Sequence, residues 1–178
     1  MSQDHYTLTL EETWLDYPDP NDNAVIVYFT GCSHHCPDCH AKDLQKMLPY
    51  SESNEEMLAK ITNYANRADT NKLVFLGGDP LHPHNQELVR FLVDNLKNQF
   101  DICIFTGYDI DYVKQLDLKG VKYFKCGLYD KTQHRQSQKT DDKYVLASPN
   151  QDFYDGNYNK LSINGILYFN NNNTEEKE

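Results

Sequence analysis

The sequence predicts an α/β domain built on a mostly parallel β-sheet. Short, continuously apolar segments alternate along the chain with segments whose apolar residues recur at helical spacing. This alternation is typical of βαβ units, in which helices cover a parallel sheet. A length of 178 residues fits one domain with a sizeable core. We assign residues 1–169 to that domain and residues 170–178 to a disordered acidic tail.

The first strands differ in how much of their surface is buried. Apolar and polar residues alternate from Tyr6 to Leu10, which predicts a half-exposed edge strand. The segment from Glu11 to Asn23 is rich in acidic residues and proline, and predicts a solvated loop. By contrast, Ala24 to Phe29 is apolar throughout, as expected of a strand covered on both faces.

Helices and buried strands then alternate in order. Ser53 and Glu56 form a predicted capping box, which opens a helix ending near Arg67. Further strands are predicted at residues 73–76, 102–105 and 121–126, a second helix starting near residues 83–85, and a short third helix with apolar residues at 110, 113 and 116.

The last part of the chain loses this alternation. Residues 130–143 are polar and predict a long loop, after which residues 144–147 form a short strand. Asn164 and Gly165 stand between two apolar segments, residues 161–163 and 166–169. Asn-Gly is the strongest short-range signal for a β-hairpin, so we predict a C-terminal hairpin there.

Composition argues against several classes of protein. The formal net charge of −10 disfavours binding to nucleic acid or to an anionic membrane. The first ten residues lack an apolar signal-peptide core, and no apolar run approaches the length of a membrane span. Five cysteines, an odd number, indicate no disulfide framework. We therefore expect a cytoplasmic protein with reduced thiols that binds neither nucleic acid nor membrane.

Three of the cysteines lie in one loop after the strand at residues 24–29. Cys32, Cys36 and Cys39 have the spacing C-x3-C-x2-C. Thiolates are soft ligands for iron–sulfur clusters or zinc. Three of them can hold three irons of a [4Fe–4S] cubane and leave the fourth iron open. A zinc site stays possible, although the chain has no obvious second half-site beyond Cys103 and Cys126.

Several glycine-containing turns follow the C-terminal ends of other predicted strands. They are Gly77-Gly78-Asp79-Pro80, Thr106-Gly107-Tyr108 and Gly127. In parallel α/β folds ligands bind at that rim of the sheet. Glycine permits close approach to a ligand, and carbonyl or carboxylate oxygens can accept hydrogen bonds from it. Each segment is equally compatible, by itself, with an ordinary strand-to-helix turn.

The cysteine loop resembles the cluster loop of radical S-adenosylmethionine (SAM) enzymes. The longer pattern Gly-Cys-x-His-x-Cys-Pro-x-Cys-His is similar to one branch, the activating proteins of anaerobic ribonucleoside-triphosphate reductase, and Gly-Gly-Asp-Pro resembles the Gly-Gly-Glu motif of the superfamily. This resemblance covers residues 24–151. It implies an incomplete (β/α) barrel, a [4Fe–4S] cluster on Cys32, Cys36 and Cys39, and S-adenosyl-L-methionine bound near Gly77, Gly78, Asp79, Thr106 and Gly107.

The resemblance also implies an activity and partners. A low-potential donor such as a flavodoxin or ferredoxin would reduce the cluster, and SAM would be cleaved to methionine and a 5′-deoxyadenosyl radical. That radical would generate a glycyl radical on the large subunit of anaerobic ribonucleoside-triphosphate reductase. Alternatives are activation of another glycyl-radical enzyme, small-molecule radical SAM chemistry, and a non-enzymatic electron-transfer or zinc module with Cys126 as fourth ligand.

The remaining polar residues near these motifs have simpler interpretations. We interpret the histidines flanking the cysteines, His34, His35 and His40, as loop scaffolding rather than ligands. His82 and His84 are predicted to be surface or helix-start residues. Cys103 and Cys126 fit small buried hydrophobic residues.

Overall fold

The structure, a computed structural model, describes residues 4–20 and 23–169, so the predicted tail at residues 170–178 lies outside the described residues. It is a mixed α/β fold. The strands are β1 Thr9–Thr13, β2 Ala24–Phe29, β3 Lys72–Gly77, β4 Asp101–Phe105, β5 Tyr123–Cys126, β6 Gln138–Lys139, β7 Lys143–Val145, β8 Asp152–Asp155 and β9 Ile166–Tyr168. The α-helices are α1 Asn54–Arg67, α2 Gln86–Leu96 and α3 Ile110–Leu116.

The main sheet has six strands in the order β1-β2-β3-β4-β5-β8. Its four central strands, β2 to β5, pair in parallel, as predicted. Antiparallel β1 and β8 flank them. Strands β6, β7 and β9 form a separate antiparallel sheet. Because β2 to β5 run in the same direction, all four end at one edge, and the candidate site lies there.

Both faces of the main sheet are covered. Successive side chains of a strand point to opposite faces, so Val25 and Val27 pack with the three helices, whereas Ala24 and Ile26 pack on the other face. There they contact a second core that contains Tyr17 and residues of the small sheet. This two-sided burial explains why β2 is apolar throughout.

Most predicted elements are confirmed, with small differences at their ends. Strand β2 has the predicted bounds, and α1 begins with the predicted capping box between Ser53 and Glu56 and ends at Arg67. The edge strand β1 begins at Thr9 rather than Tyr6, because Tyr6 instead forms an isolated bridge with Tyr50.

Two predictions for the loops need correction. The predicted loop from Glu11 to Asn23 starts too early, because β1 continues to Thr13, and it is not simply solvated, because Tyr17 within it is fully buried in the second core. The polar segment after β5 contains a short 3₁₀ helix, Lys131–Gln133, and strand β6. The buried Tyr17 ring attaches the first loop to the sheet.

The C-terminal turn forms where Asn-Gly predicts it. Asn164 and Gly165 both have positive φ, and Ile163 and Ile166 exchange backbone hydrogen bonds across the turn. The two arms then diverge. Before the turn, the Leu161 N–H donates to the carbonyl of Phe153 in β8. After the turn, the chain forms β9, which pairs with β7. In the part of the chain that the structure describes, no helix is long and apolar enough to cross a membrane.

Candidate functional site

A cavity of about 340 Å³ opens at the C-terminal ends of the parallel strands. This volume lies within the range of small-molecule pockets, about 300–1,000 Å³. All eight residues predicted to bind a metal or cofactor contribute to its wall: Cys32, Cys36, Cys39, Gly77, Gly78, Asp79, Thr106 and Gly107. They come from three separate segments of the chain, and the parallel sheet brings those segments to one edge.

Local hydrogen bonds shape the cysteine loop, residues 31–40. At its base the Gly31 N–H donates to the Leu44 carbonyl at 2.8 Å. The Cys39 N–H donates to the Cys36 carbonyl at 3.2 Å across Pro37 and Asp38, and Asp38 has a φ of 57°. Proline followed by a residue with positive φ is the pattern of a type II turn. This turn places Cys36 and Cys39 at its two ends.

The three thiols of the loop are half-buried and all reduced. Burial raises the pKa of the Cys32 thiol, and a hydrogen bond from the main chain of His34 partly offsets that effect. No three Cys, His, Asp or Glu side chains among the described residues converge on a single ion. A cubane cluster needs no such convergence, because each thiolate binds a different iron. Three separate thiols around a cavity therefore fit the donor set of a [4Fe–4S] cluster with one open iron.

The Gly-Gly-Asp turn after β3 packs against the base of the cysteine loop. A Cβ atom on Gly77, whose φ is 124°, would lie 2.4 Å from the Phe29 carbonyl oxygen, and one on Gly78 would lie 2.7 Å from the Gly31 carbonyl oxygen. The Gly78 N–H donates to Phe29 O at 2.7 Å. We predicted that these glycines allow close approach of a ligand; in the structure they allow close approach of the chain's own backbone.

Asp79 is the most heavily engaged polar side chain of the site. Its residue is only 1% exposed. Oδ1 accepts from the Leu81 N–H at 2.9 Å and the Thr106 hydroxyl at 2.9 Å. Oδ2 accepts from the Gly107 N–H at 2.9 Å and lies 2.8 Å from Nε2 of His34. The carboxylate therefore accepts hydrogen bonds from donors of the protein itself. The Thr106 hydroxyl, which we predicted to face a cofactor, donates to Asp79 and accepts from the Tyr108 N–H at 3.2 Å.

The imidazole ring of His34 packs against Gly107 and Tyr108. A Cβ atom on Gly107 would lie 2.6 Å from the His34 ring, so this position has no room for a side chain. The Tyr108 ring packs edge-on against His34 at a centroid distance of 4.5 Å and stacks on Tyr112 at 3.9 Å. The turn after β4 thus forms a recess that the His34 side chain of the cysteine loop fills.

Sequence reasoning missed two residues that shape the site. Asn85 precedes α2, where a polar residue suggests a helix cap, but its side chain is fully buried and makes no cap hydrogen bond. Its Nδ2 donates to the carbonyls of Thr30 at 2.8 Å and Asp79 at 2.9 Å, and its Oδ1 accepts from the Tyr50 hydroxyl at 2.9 Å. Asn85 thus joins the start of the cysteine loop to the Gly-Gly-Asp turn.

The other missed residue is Lys125, which lies at the end of β5 in the cavity wall. Its ammonium lies 5.2 Å from the centroid of the Phe105 ring, and burial lowers its pKa. Of the described residues that line the cavity, it is the only lysine or arginine. Its position near the C-terminal end of the predicted strand, two residues before Gly127, was the available sequence signal.

Cys103 and Cys126 are buried, as predicted. Cys126 neighbours Lys125 but points to the opposite face, into the core beneath the helices. Burial raises the pKa of Cys126 to about 12 and that of Cys103 well above its usual value. Among the described residues, neither cysteine contributes to the cavity wall. A fourth thiolate from Cys126 would require the strand to reverse its faces.

The histidines before α2 differ from the prediction in one respect. His82 is buried, at 8% exposure, rather than at the surface. Its Nδ1 accepts a hydrogen bond from the His84 N–H at 3.1 Å. The His84 ring stacks on Tyr50 at 6.2 Å.

Comparison with known proteins finds one matching family and several relatives that share one name. A family described as a 4Fe-4S single cluster domain matches residues 23–154. A protein of Enterobacteria phage T4 named anaerobic ribonucleoside-triphosphate reductase-activating protein is 31% identical over 111 residues, which cover 60% of this chain and 71% of the relative. Proteins of the same name from Escherichia coli K12 and Salmonella typhimurium LT2 are 28% and 30% identical, each over 60% of this chain and 73% of the relative. No solved structure matches the chain significantly.

Proposed function

The chain belongs to the 4Fe-4S single cluster domain family and, within it, groups with the anaerobic ribonucleoside-triphosphate reductase-activating proteins; on that premise we propose that it is a radical SAM activase. It would bind a [4Fe–4S] cluster and SAM and generate a glycyl radical on the large subunit of that reductase. One observation carries the proposal: the three loop cysteines and the turns after β3 and β4 line the same cavity.

The cysteines and the cofactor have separate roles in this proposal. Cys32, Cys36 and Cys39 would bind three irons, and the fourth iron would bind SAM through its amino and carboxylate groups. A [4Fe–4S] cluster held there would supply the electron that cleaves SAM to methionine and a 5′-deoxyadenosyl radical, and that radical would take a hydrogen atom from the reductase glycine. The protein contributes position, charge and exclusion of water.

The rim residues would act mainly through the backbone. Since both oxygens of Asp79 already accept hydrogen bonds within the protein, we propose that the SAM amino group donates its hydrogens to backbone carbonyls of Gly77 and Gly78 rather than to the carboxylate. Lys125 offers a cation in the cavity wall, where it can balance an anionic group such as the SAM carboxylate. Thr106 and Gly107 would hold the cavity wall in place through Asp79.

The proposed architecture is an incomplete (β/α) barrel of the radical SAM type, formed by residues 1–169 as one domain. Four parallel strands with helices on one face and the cavity at their C-terminal ends support it. Both cores pack on the same sheet, which supports a single unit. The reductase glycine would enter from the open side of the cavity, and a low-potential flavodoxin or ferredoxin in the cytoplasm would supply the electron.

Anaerobic reconstitution with iron and sulfide tests the proposal. We expect a brown protein that converts SAM to methionine and 5′-deoxyadenosine only when a reductant is present. Incubation with the large reductase subunit should then give a glycyl-radical doublet in electron paramagnetic resonance (EPR). A colourless protein that binds zinc, or a cluster that leaves SAM intact under reduction, would overturn the assignment.

A further inference from the structure

In the sequence, His34 lies midway between Cys32 and Cys36, and its side chain is mostly buried. It is 13% exposed, and its Nε2 lies 2.8 Å from Oδ2 of Asp79. A carboxylate only accepts hydrogen bonds, so Nε2 carries the proton in this contact. The neighbouring His35 is exposed and makes no such contact among the described residues.

Asp79 connects the imidazole to two strand ends. The carboxylate belongs to the turn after β3, and it also binds the hydroxyl of Thr106 and the N–H of Gly107 after β4. A hydrogen bond to an ionised, buried acceptor is stronger than one between neutral groups. The contact with His34 therefore attaches the loop segment between Cys32 and Cys36 to the C-terminal ends of β3 and β4.

Shape reinforces the hydrogen bond. Gly107 leaves space that the imidazole fills, and Tyr108 closes the other side of the ring. Between Cys32 and Cys36, the described residues make no backbone hydrogen bond to the rest of the protein. In that segment the loop is attached to the sheet by side chains, through the contact of His34 with Asp79 and a hydrogen bond between Ser33 and Tyr108.

We infer that His34 is a positioning residue that, through Asp79, holds the cysteine loop in a fixed place relative to the turns after β3 and β4. The inference rests on the proposed function, because it concerns where the cluster would lie relative to bound SAM. SAM would contact both the loop-held iron and the turn after β3. If the cysteine loop and the turn after β3 are already fixed relative to each other, SAM binding does not incur the entropy cost of ordering them.

Three variants separate positioning from simple structural support. His34→Asn ends one bond short of the Nε2 position, whereas His34→Gln can place its amide nitrogen there and donate to Asp79. His35→Asn is the matched control, because it makes the same change one residue away. His35 has a φ of 51°, which asparagine tolerates.

The reconstituted variants are compared by iron content, by SAM affinity in calorimetry, and by the EPR change of the reduced cluster on adding SAM. We expect His34→Asn to keep its iron but to bind SAM about 10-fold more weakly, as for loss of one hydrogen bond to a charged group. The SAM-induced EPR change should broaden or shift. His34→Gln should restore affinity to within about 2-fold, and His35→Asn should match the wild type.

Hydrogen exchange of the metal-free protein gives a readout independent of the cofactors. Exchange in the peptide covering residues 31–41 should be faster in His34→Asn than in His35→Asn. Equal exchange, equal SAM affinity of the two variants, or no rescue by glutamine would overturn the inference. Failure of the proposed function is distinguishable, because then the wild type itself fails to bind SAM while the exchange comparison still decides whether His34 anchors the loop.

Discussion

Replacing Asp79 by asparagine should destabilise the protein strongly. Each carboxylate oxygen accepts two hydrogen bonds, Oδ1 from Leu81 and Thr106 and Oδ2 from Gly107 and His34. An amide group in place of either oxygen cannot accept, so the N–H of Leu81 or of Gly107 loses its partner, and the remaining hydrogen bonds lose their charged acceptor. Hydrogen bonds to charged groups contribute about 1.5–3 kcal/mol each, so we expect a loss of about 3 kcal/mol or more. For a chain of this size that corresponds to a fall in Tm of roughly 6–12 °C.

Urea unfolding of the metal-free, reduced protein measures the effect. The control is Asp109→Asn, which makes the same chemical change at an exposed position. Asp109 caps α3 by accepting one hydrogen bond from the Tyr112 N–H at 2.9 Å, and asparagine caps helices about as well as aspartate. We expect the control to lose less than about 0.5 kcal/mol. If the two variants have the same unfolding free energy, Asp79 does not organise the site as described.

The other predictions concern cysteines and a glycine. Cys36→Ala should lose the reconstituted cluster, whereas Cys126→Ser should keep a wild-type iron content; equal loss in both would favour a closed four-cysteine site. Because burial raises the pKa of Cys126 to about 12, its thiolate fraction at pH 8 is only about 1 in 10,000. Iodoacetamide should therefore label the three loop cysteines of the folded apoprotein, while mass spectrometry finds Cys103 and Cys126 unmodified until denaturant is added. Gly77→Ala should cost roughly 1–3 kcal/mol in urea unfolding because of its positive φ; wild-type stability would contradict the close contact with Phe29.

Local patterns in the sequence predicted most of the main sheet and its helices. Strand β2 and helix α1 have the predicted bounds because their signals are strong: a continuous apolar run in one, a capping box in the other. The weaker signal at Tyr6 was overridden by its bridge to Tyr50, a contact between distant residues. Strand β8 carries no clear pattern of its own and forms because β5 offers it an edge.

The structure brings the predicted site residues to one cavity but gives several of them contacts that differ from the prediction. The rule that ligands bind at the C-terminal ends of parallel strands was sufficient to gather the eight predicted residues at one cavity. The same rule could not reveal how those residues are used. Gly77, Thr106 and Asp79 are engaged mainly by other parts of the protein, and Asn85, which joins two of the segments, resembles a helix cap in the sequence.

From the sequence alone, the spacing of three cysteines in a loop after a buried strand was enough to predict a cluster with an open iron. That information is local, because ligand type and spacing depend on a few adjacent residues. Only the tertiary structure decided which side chains remain available to a ligand. Because successive side chains of a strand point to opposite faces, Lys125 faces the cavity and Cys126 faces the core. Packing of the cysteine loop against the turns after β3 and β4 places Asp79 in hydrogen bonds with His34 and Thr106. Such contacts join residues far apart in the chain, so no single stretch of sequence specifies them.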